Sequence, residues 1–242
     1  MNKIILTLLM TILFTPAANA QNCVNSSRCD ELGYTKTTAD CAGLDTLVCP
    51  FDENKVFCVE AKAQEQIIPC DTGAVLYSDK KCYINASAEH IPIAVVFDTE
   101  NRLAVALDGA ETLLEWGGYG EIIGSAAQTT SGKSNTAAIL AYGETNNIEY
   151  PAAEYCNTYS TTGTNAGDWF LPSLEELELL SSNFSGINSA LTVLGKPITD
   201  GQYYWSSSEY NLSFAGRLVP SSGDTTYHIK YSSVRVRPVL AF

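Results

Sequence analysis

The hydrophobic positions of this chain fall into runs of distinct period. "IPIAVVFD" (Ile91 to Asp98) and "RLAVALD" (Arg102 to Asp108) are dense in apolar, strand-favouring residues and separated by Thr99, Glu100 and Asn101, which predicts an antiparallel hairpin. In "LPSLEELELL" the period changes: Leu174, Leu177 and Leu180 share one helical face, and Ser173 with Glu176 forms a capping box at its start. Shorter helices are predicted over "NTAAILAYG", ending at Gly143, over "PAAEYCNTY", with Pro151 in the first turn, and over Gly186 to Leu194. From Tyr203 the pattern alternates and turns like antiparallel strands, with a bend at "PSSGD". The final run "VRVRPVLAF" is apolar to its last residue and is predicted to pair inside a sheet. Strands, then helices, then strands make an α+β fold.

The two ends of the pattern are different in kind. Lys3, the apolar "IILTLLMTILF" and the A-x-A site Ala18-Asn19-Ala20 read as a secretory signal peptide over residues 1–20, so the mature chain is expected to begin at Gln21. No other run approaches the roughly 20 apolar residues that span a bilayer. The expected setting is secreted, periplasmic or at the cell surface. Residues 21–65 show little apolar periodicity but hold five cysteines, and read as a small stapled module. Residues 66–242 form the larger domain.

The cysteines are Cys23, Cys29, Cys41, Cys49, Cys58, Cys70, Cys82 and Cys156. In an exported chain they are read as disulfides; no C-x-x-C is present and the chain has two histidines, His90 and His228, so metal binding is not expected. Cys70 and Cys82 flank the turn Ser78-Asp79-Lys80-Lys81 and are expected to pair. Five cysteines then remain upstream, so full oxidation requires a bond from that group to Cys156.

Charge excludes one function class. The net charge is −13, and −14 without Lys3, which argues against general nucleic-acid binding. Signals for catalysis are weak. Ser206, Ser207 and Ser208 lack a G-x-S-x-G elbow, and His228 in "TYHIK" reads as a strand residue. Glu175, Glu176 and Glu178 suit the start of a helix better than an acid–base pair. Asp98, Glu100 and Asp168 could hold calcium, but without EF-hand spacing. No Walker loop, dinucleotide fingerprint or zinc pattern occurs, and no catalytic residue, cofactor or metal is assigned.

Three elements in order, "GDWFLPSLEEL" (Gly167 to Leu177), "YYWSSSEY" (Tyr203 to Tyr210) and "VRPVLAF" (Val236 to Phe242), resemble the bacterial C-type-lectin-like domain found at the end of collagen-like adhesins and in retroelement-diversified variable proteins. The resemblance covers roughly residues 68–242. It implies a C-type-lectin-like fold in which the first and last strands pair, with Trp169, Leu171, Pro172, Trp205, Arg237 and Pro238 as scaffold. Ser206 to Ser208 would turn the chain outward, and residues beyond Glu209 would be displayed. In diversified relatives AAY codons become NNY codons, which exclude Glu, Lys, Gln, Met and Trp. Those types make up 35 of 242 residues, yet Tyr210 to Phe242 holds one, Lys230. A β-rich tail has the same bias, so both explanations stand. The family's departures here are equally informative. The calcium-dependent sugar motifs of animal C-type lectins are absent, and no cysteine follows Cys156 to serve a formylglycine-generating enzyme.

The resulting expectation is a non-catalytic binding or adhesion protein. Its ligand-binding residues would come from Tyr210, Leu212, Phe214, Arg217, Tyr227, His228, Lys230 and Tyr231, with only the outward members of each strand used. Arg217, Lys230, Arg235 and Arg237 against Asp224 make this tail +3, which suits an anionic extracellular protein or glycan. The alternatives are a formylglycine-generating-like or other hydrolytic enzyme on the same scaffold, and a structural subunit of a surface appendage.

Overall fold

The computed structural model describes three short strands near the start of the chain, and then residues 65–107, 112–128 and 130–242. The expected signal peptide lies outside the described residues, as do Cys29, Cys41 and Cys49 and the side chains of Cys23 and Cys58. The chain divides into two compact units, Met1–Gln64 and Glu65–Phe242. In the first, β1 (Cys23–Asn25), β2 (Tyr34–Thr37) and β3 (Lys55–Glu60) form an antiparallel sheet in the order β1-β3-β2.

The second unit is α+β. Its first strands are β4 (Gln66–Ile68), β5 (Val75–Tyr77), β6 (Cys82–Ile84), β7 (Pro92–Asp98), β8 (Leu103–Ala106) and β9 (Thr112–Leu114). A short 3-10 turn (Gly124–Ala127) precedes helices α1 (Gly132–Asn146) and α2 (Pro151–Thr158), strand β10 (Trp169–Phe170), and helices α3 (Leu174–Ser182) and α4 (Phe184–Val193). Then come β11 (Tyr204–Glu209), β12 (Phe214–Val219), β13 (Asp224–Ile229), β14 (Val234–Val236) and β15 (Val239–Ala241). The strands make a seven-stranded sheet, β10-β15-β8-β7-β5-β6-β4, and a five-stranded sheet, β13-β12-β11-β14-β9.

The predicted hairpin is β7 with β8, in the register Val95↔Val105. Its turn is held by Asp98, whose carboxylate accepts from the backbone N–H of Glu100 (2.9 Å) and Asn101 (3.1 Å) and from the Asn101 amide (2.7 Å). Strand β7 is dense in apolar residues because both its faces are covered. Val95 and Phe97 meet Leu180, Ile187 and Leu191 of the helices, while Ala94 and Val96 pack with Trp169 and Leu240. A third cluster gathers Trp116, Ile139, Tyr150, Leu171, Trp205 and Val236.

Helix α3 starts as predicted. The Ser173 hydroxyl accepts from Glu176 N (3.1 Å), and the Glu176 carboxylate accepts from Ser173 N (2.9 Å). It also accepts from Gly132 N (3.0 Å), so one box ties the start of α3 to the start of α1. Helix α1 does not stop at Gly143. It runs on to Asn146 and is closed by Asn147 in the left-handed region. Gly143 is an interior residue whose absent side chain makes room: a Cβ there would lie 2.6 Å from Ile148 O and 2.9 Å from the Tyr150 ring.

The last strand corrects a second expectation. It does not pair with the first strand of its unit: β15 lies between β8 and β10, in the register Val239↔Val105 and Trp169↔Leu240, while β4 is the opposite edge. The chain end instead takes the edge of β8 that β7 leaves open, and β4 pairs with β6. "VRVRPVLAF" thus supplies a strand to each sheet and breaks at Arg237-Pro238. Buried Arg237 donates to the carbonyls of Ala106 (2.9 Å), Lys196 (2.8 Å) and Pro197 (3.2 Å) at this crossover.

Cys70 and Cys82 are bonded, while Cys156 is a free, buried thiol on α2. The expected bond to Cys156 is therefore not formed: its side chain is sealed in the cluster around Trp116 and Trp205, and burial pushes its pKa up. Native protein should resist alkylation at Cys156 and become labelled there only when unfolded; mass mapping of alkylated peptides checks this. Replacing Cys70 and Cys82 by alanine should cost about 3 kcal/mol in urea unfolding, the scale expected for a short closed loop.

Candidate functional site

The displayed surface is built from three segments at one end of the five-stranded sheet. The first is the turn leaving β11, where Asn211 caps the chain: its Oδ1 accepts from Ser213 N and Phe214 N, both at 2.9 Å. The second is the end of β13. The third is the glycine-rich stretch "WGGYGEIIG", which passes over Tyr150. A Cβ at Gly117 would sit 2.3 Å from Glu149 O, and one at Gly118 would sit 2.4 Å from the Tyr150 ring, and both glycines have positive φ.

A buried ion pair locks the three together. Lys230 and Glu209 have fully buried side chains, with Nζ 2.7 Å from Oε1. Nζ also donates to Glu121 O (2.9 Å) and lies 4.7 Å from the centre of the Trp116 ring. Glu209 accepts from Ile123 N (2.9 Å) and Gly124 N (2.8 Å) as well. Trp116 N donates to Lys230 O (2.9 Å), Lys230 N to Ser213 O (3.0 Å) and Gly120 N to Leu212 O (2.8 Å). Burial pulls the Lys230 ammonium below the usual lysine range, opposed by its hydrogen bond to Glu209.

On this frame the exposed side chains are large and aromatic. Tyr210 (53% exposed), Leu212 (50%), Phe214 (38%), Tyr227 (44%) and Tyr231 (53%) face solvent. Tyr210 stacks on Tyr227 with ring centres 4.0 Å apart, and Tyr119 meets Tyr231 edge-on at 4.9 Å. Tyr119 and Ile122 are also exposed, and the sequence reading did not include them. Their signal was available: bulky apolar residues inside a run of turn-forming glycines.

Three of the proposed ligand residues stand elsewhere. Lys230 is not displayed at all. It follows β13 directly and faces inward: alternation along β13 puts Tyr227 out and His228 on the opposite side, and Lys230, one residue past its end, is buried. Arg217 and His228 are half-buried on that opposite side, where His228 stands 6.2 Å from the Trp205 ring and Arg217 pairs across the sheet with Trp205. Burial, and secondarily Arg217, lower the His228 pKa.

The serine run also differs from expectation. Ser206 and Ser207 are buried within β11 rather than turned outward. Ser206 Oγ donates to Gly216 O (2.9 Å), Asn135 Nδ2 donates to Ser207 Oγ (3.3 Å), and Leu174 N donates to Ser208 Oγ (3.0 Å). The hydroxyls stitch β11 to its neighbouring strand and two helices. Trp169, Leu171, Pro172, Trp205, Arg237 and Pro238 are buried. His90 lies apart from all of these, 2.8 Å from Glu65 and stacked on Tyr83. Among the described residues no group of three or more His, Cys, Asp or Glu side chains could hold a metal ion, and no helix is long and apolar enough to cross a membrane.

No family model and no curated protein matches the chain. A solved structure does. A fimbrial protein from Bacteroides ovatus superposes with a TM-score of 0.57 at 16% identity, over 71% of this chain and 49% of that one. This chain shares its fold. It spans about half the length of that relative.

Replacing Lys230 by methionine, or Glu209 by glutamine, should destabilise the protein by roughly 3–5 kcal/mol in denaturant unfolding, because each leaves a buried charge or donor unpaired. The double change to Met and Leu should recover much of that loss.

Proposed function

We propose that this protein is exported and non-catalytic, and that its C-terminal domain binds an extracellular protein or glycan through the rim formed by Tyr119, Tyr210, Leu212, Phe214, Tyr227 and Tyr231. The observation that carries this reading is the exposed aromatic rim on a frame held by a buried ion pair. Tyrosine is a favoured interface anchor, with large area and little rotamer entropy to lose. A soluble protein gains nothing in stability from holding such side chains in water. The sequence elements of a C-type-lectin-like domain, including the tail poor in Glu, Lys, Gln, Met and Trp, support a scaffold with a tolerant, and in this reading diversified, surface.

Two features favour binding over hydrolysis. The hydroxyls of the serine run are engaged in backbone and side-chain bonds, and the one free thiol of the described residues is buried with a raised pKa. A second reading, a structural subunit of a surface appendage, is favoured by the fimbrial neighbour. Both place the chain at or beyond the cell surface.

A glycan and host-protein array probed with the whole exported chain separates them. Tyr210→Ala with Tyr227→Ala should weaken capture by at least ~10-fold, as expected when hot-spot aromatics are lost, with the melting temperature unchanged. Undiminished capture, or a parallel fall in melting temperature, defeats the rim assignment. Self-association abolished by the same changes, without a heterologous ligand, establishes the appendage reading instead.

A further inference from the structure

The hairpin β12–β13 has a second side whose chemistry differs from that of the aromatic rim. In its register Ala215 faces His228 and Arg217 faces Thr226, so Arg217, Thr226 and His228 share the side opposite Tyr227. The Arg217 guanidinium carbon lies over the Tyr203 ring, 4.0 Å from its centre. Its Nε is buried and has no acceptor in the protein, and among the described residues no carboxylate pairs with it. A buried N–H donor left without an acceptor is costly to keep. Here it is kept in a chain of net charge −13, where an acidic partner would be easy to supply. His228 stands beside it as a second nitrogen-bearing group, and burial followed by Arg217 keeps that imidazole toward its neutral form.

We propose that Arg217, backed by Tyr203 and flanked by His228 and Thr226, is a subsite for a single oxyanion, the carboxylate or sulfate of an otherwise neutral saccharide. Guanidinium is planar and presents paired N–H donors that match two oxygens of such a group. The contact with the Tyr203 ring restrains the side chain in advance, so less side-chain entropy is lost on binding. The strongly acidic chain repels polyanions, which restricts the site to a ligand with one isolated charge. The surroundings select further. Thr226 and the His228 imidazole offer hydrogen bonds suited to sugar hydroxyls, whereas the exposed apolar anchors that a peptide would seek, Tyr210, Leu212, Phe214 and Tyr227, belong to the rim described above. The inference is independent of the rim, because the two sites use opposite sides of β13.

The test is calorimetric titration of the whole exported chain with sialyllactose, sulfated lactose and plain lactose. Binding of either acidic sugar but not of lactose is expected, and the two acidic arms tell carboxylate from sulfate. Arg217→Gln should weaken that binding by at least ~10-fold, the scale of a lost charge-assisted bidentate contact, and Arg217→Lys should restore only part of it. Equal binding of lactose, no binding of any probe, or an undiminished Arg217→Gln variant overturns the proposal. A lower melting temperature in Arg217→Gln is controlled by Arg217→Lys, which keeps the charge over Tyr203: native stability with native affinity in that variant also overturns it.

Discussion

The presented surface of this protein rests on one buried ion pair. Lys230 and Glu209 sit out of water, and both also hydrogen-bond to the backbone of one glycine-rich stretch, Lys230 to Glu121 O and Glu209 to Ile123 N and Gly124 N. Such a pair contributes little net stability over an apolar substitute, because desolvation offsets the Coulomb attraction. Its effect is on specificity of arrangement. A carboxylate that must find two N–H donors, and an ammonium that must find a carbonyl, permit only one placement of the glycine-rich stretch relative to β11 and β13. The Trp116 ring completes the enclosure, donating its own N–H to Ser206 O at 2.8 Å.

From that lock follows the difference between the two sides of the hairpin β12–β13. The end of the sheet is stiff enough to hold exposed tyrosines in pairs, and strand alternation sends the cationic residues to the other side. Contact by an apolar rim and capture of a charged group are then separate capacities of one small sheet. The C-terminal run serves the same end from below. It gives β14 to the five-stranded sheet and β15 to the seven-stranded sheet, so the two sheets share one continuous piece of backbone pinned by Arg237.

Several elements could be read from local pattern because local energies decide them. The β7–β8 hairpin, the capping box of α3 and the Cys70–Cys82 bond depend on residues close in sequence. Where reading failed, the deciding partner was distant. Gly143 resembles a helix stop until the Tyr150 ring is placed against it. Ser206 to Ser208 resemble a polar turn until Gly216, Asn135 and Leu174 supply their bonds. The closing strand had every property of a sheet strand, but the edge it met, that of β8, was set only in the assembled sheet.

What the sequence determined by itself was the α+β alternation, the tyrosine-rich tail and the residue types available for contact, since periodicity and capping are properties of a few neighbouring positions. Tertiary structure decided which of those residues reach solvent. Lys230 is a surface residue by composition and a core residue in fact, because Glu209, twenty-one positions earlier, stands opposite it. Tyr119 became part of the rim for the same reason: only the folded chain brings a loop from residue 119 against a turn at residue 231.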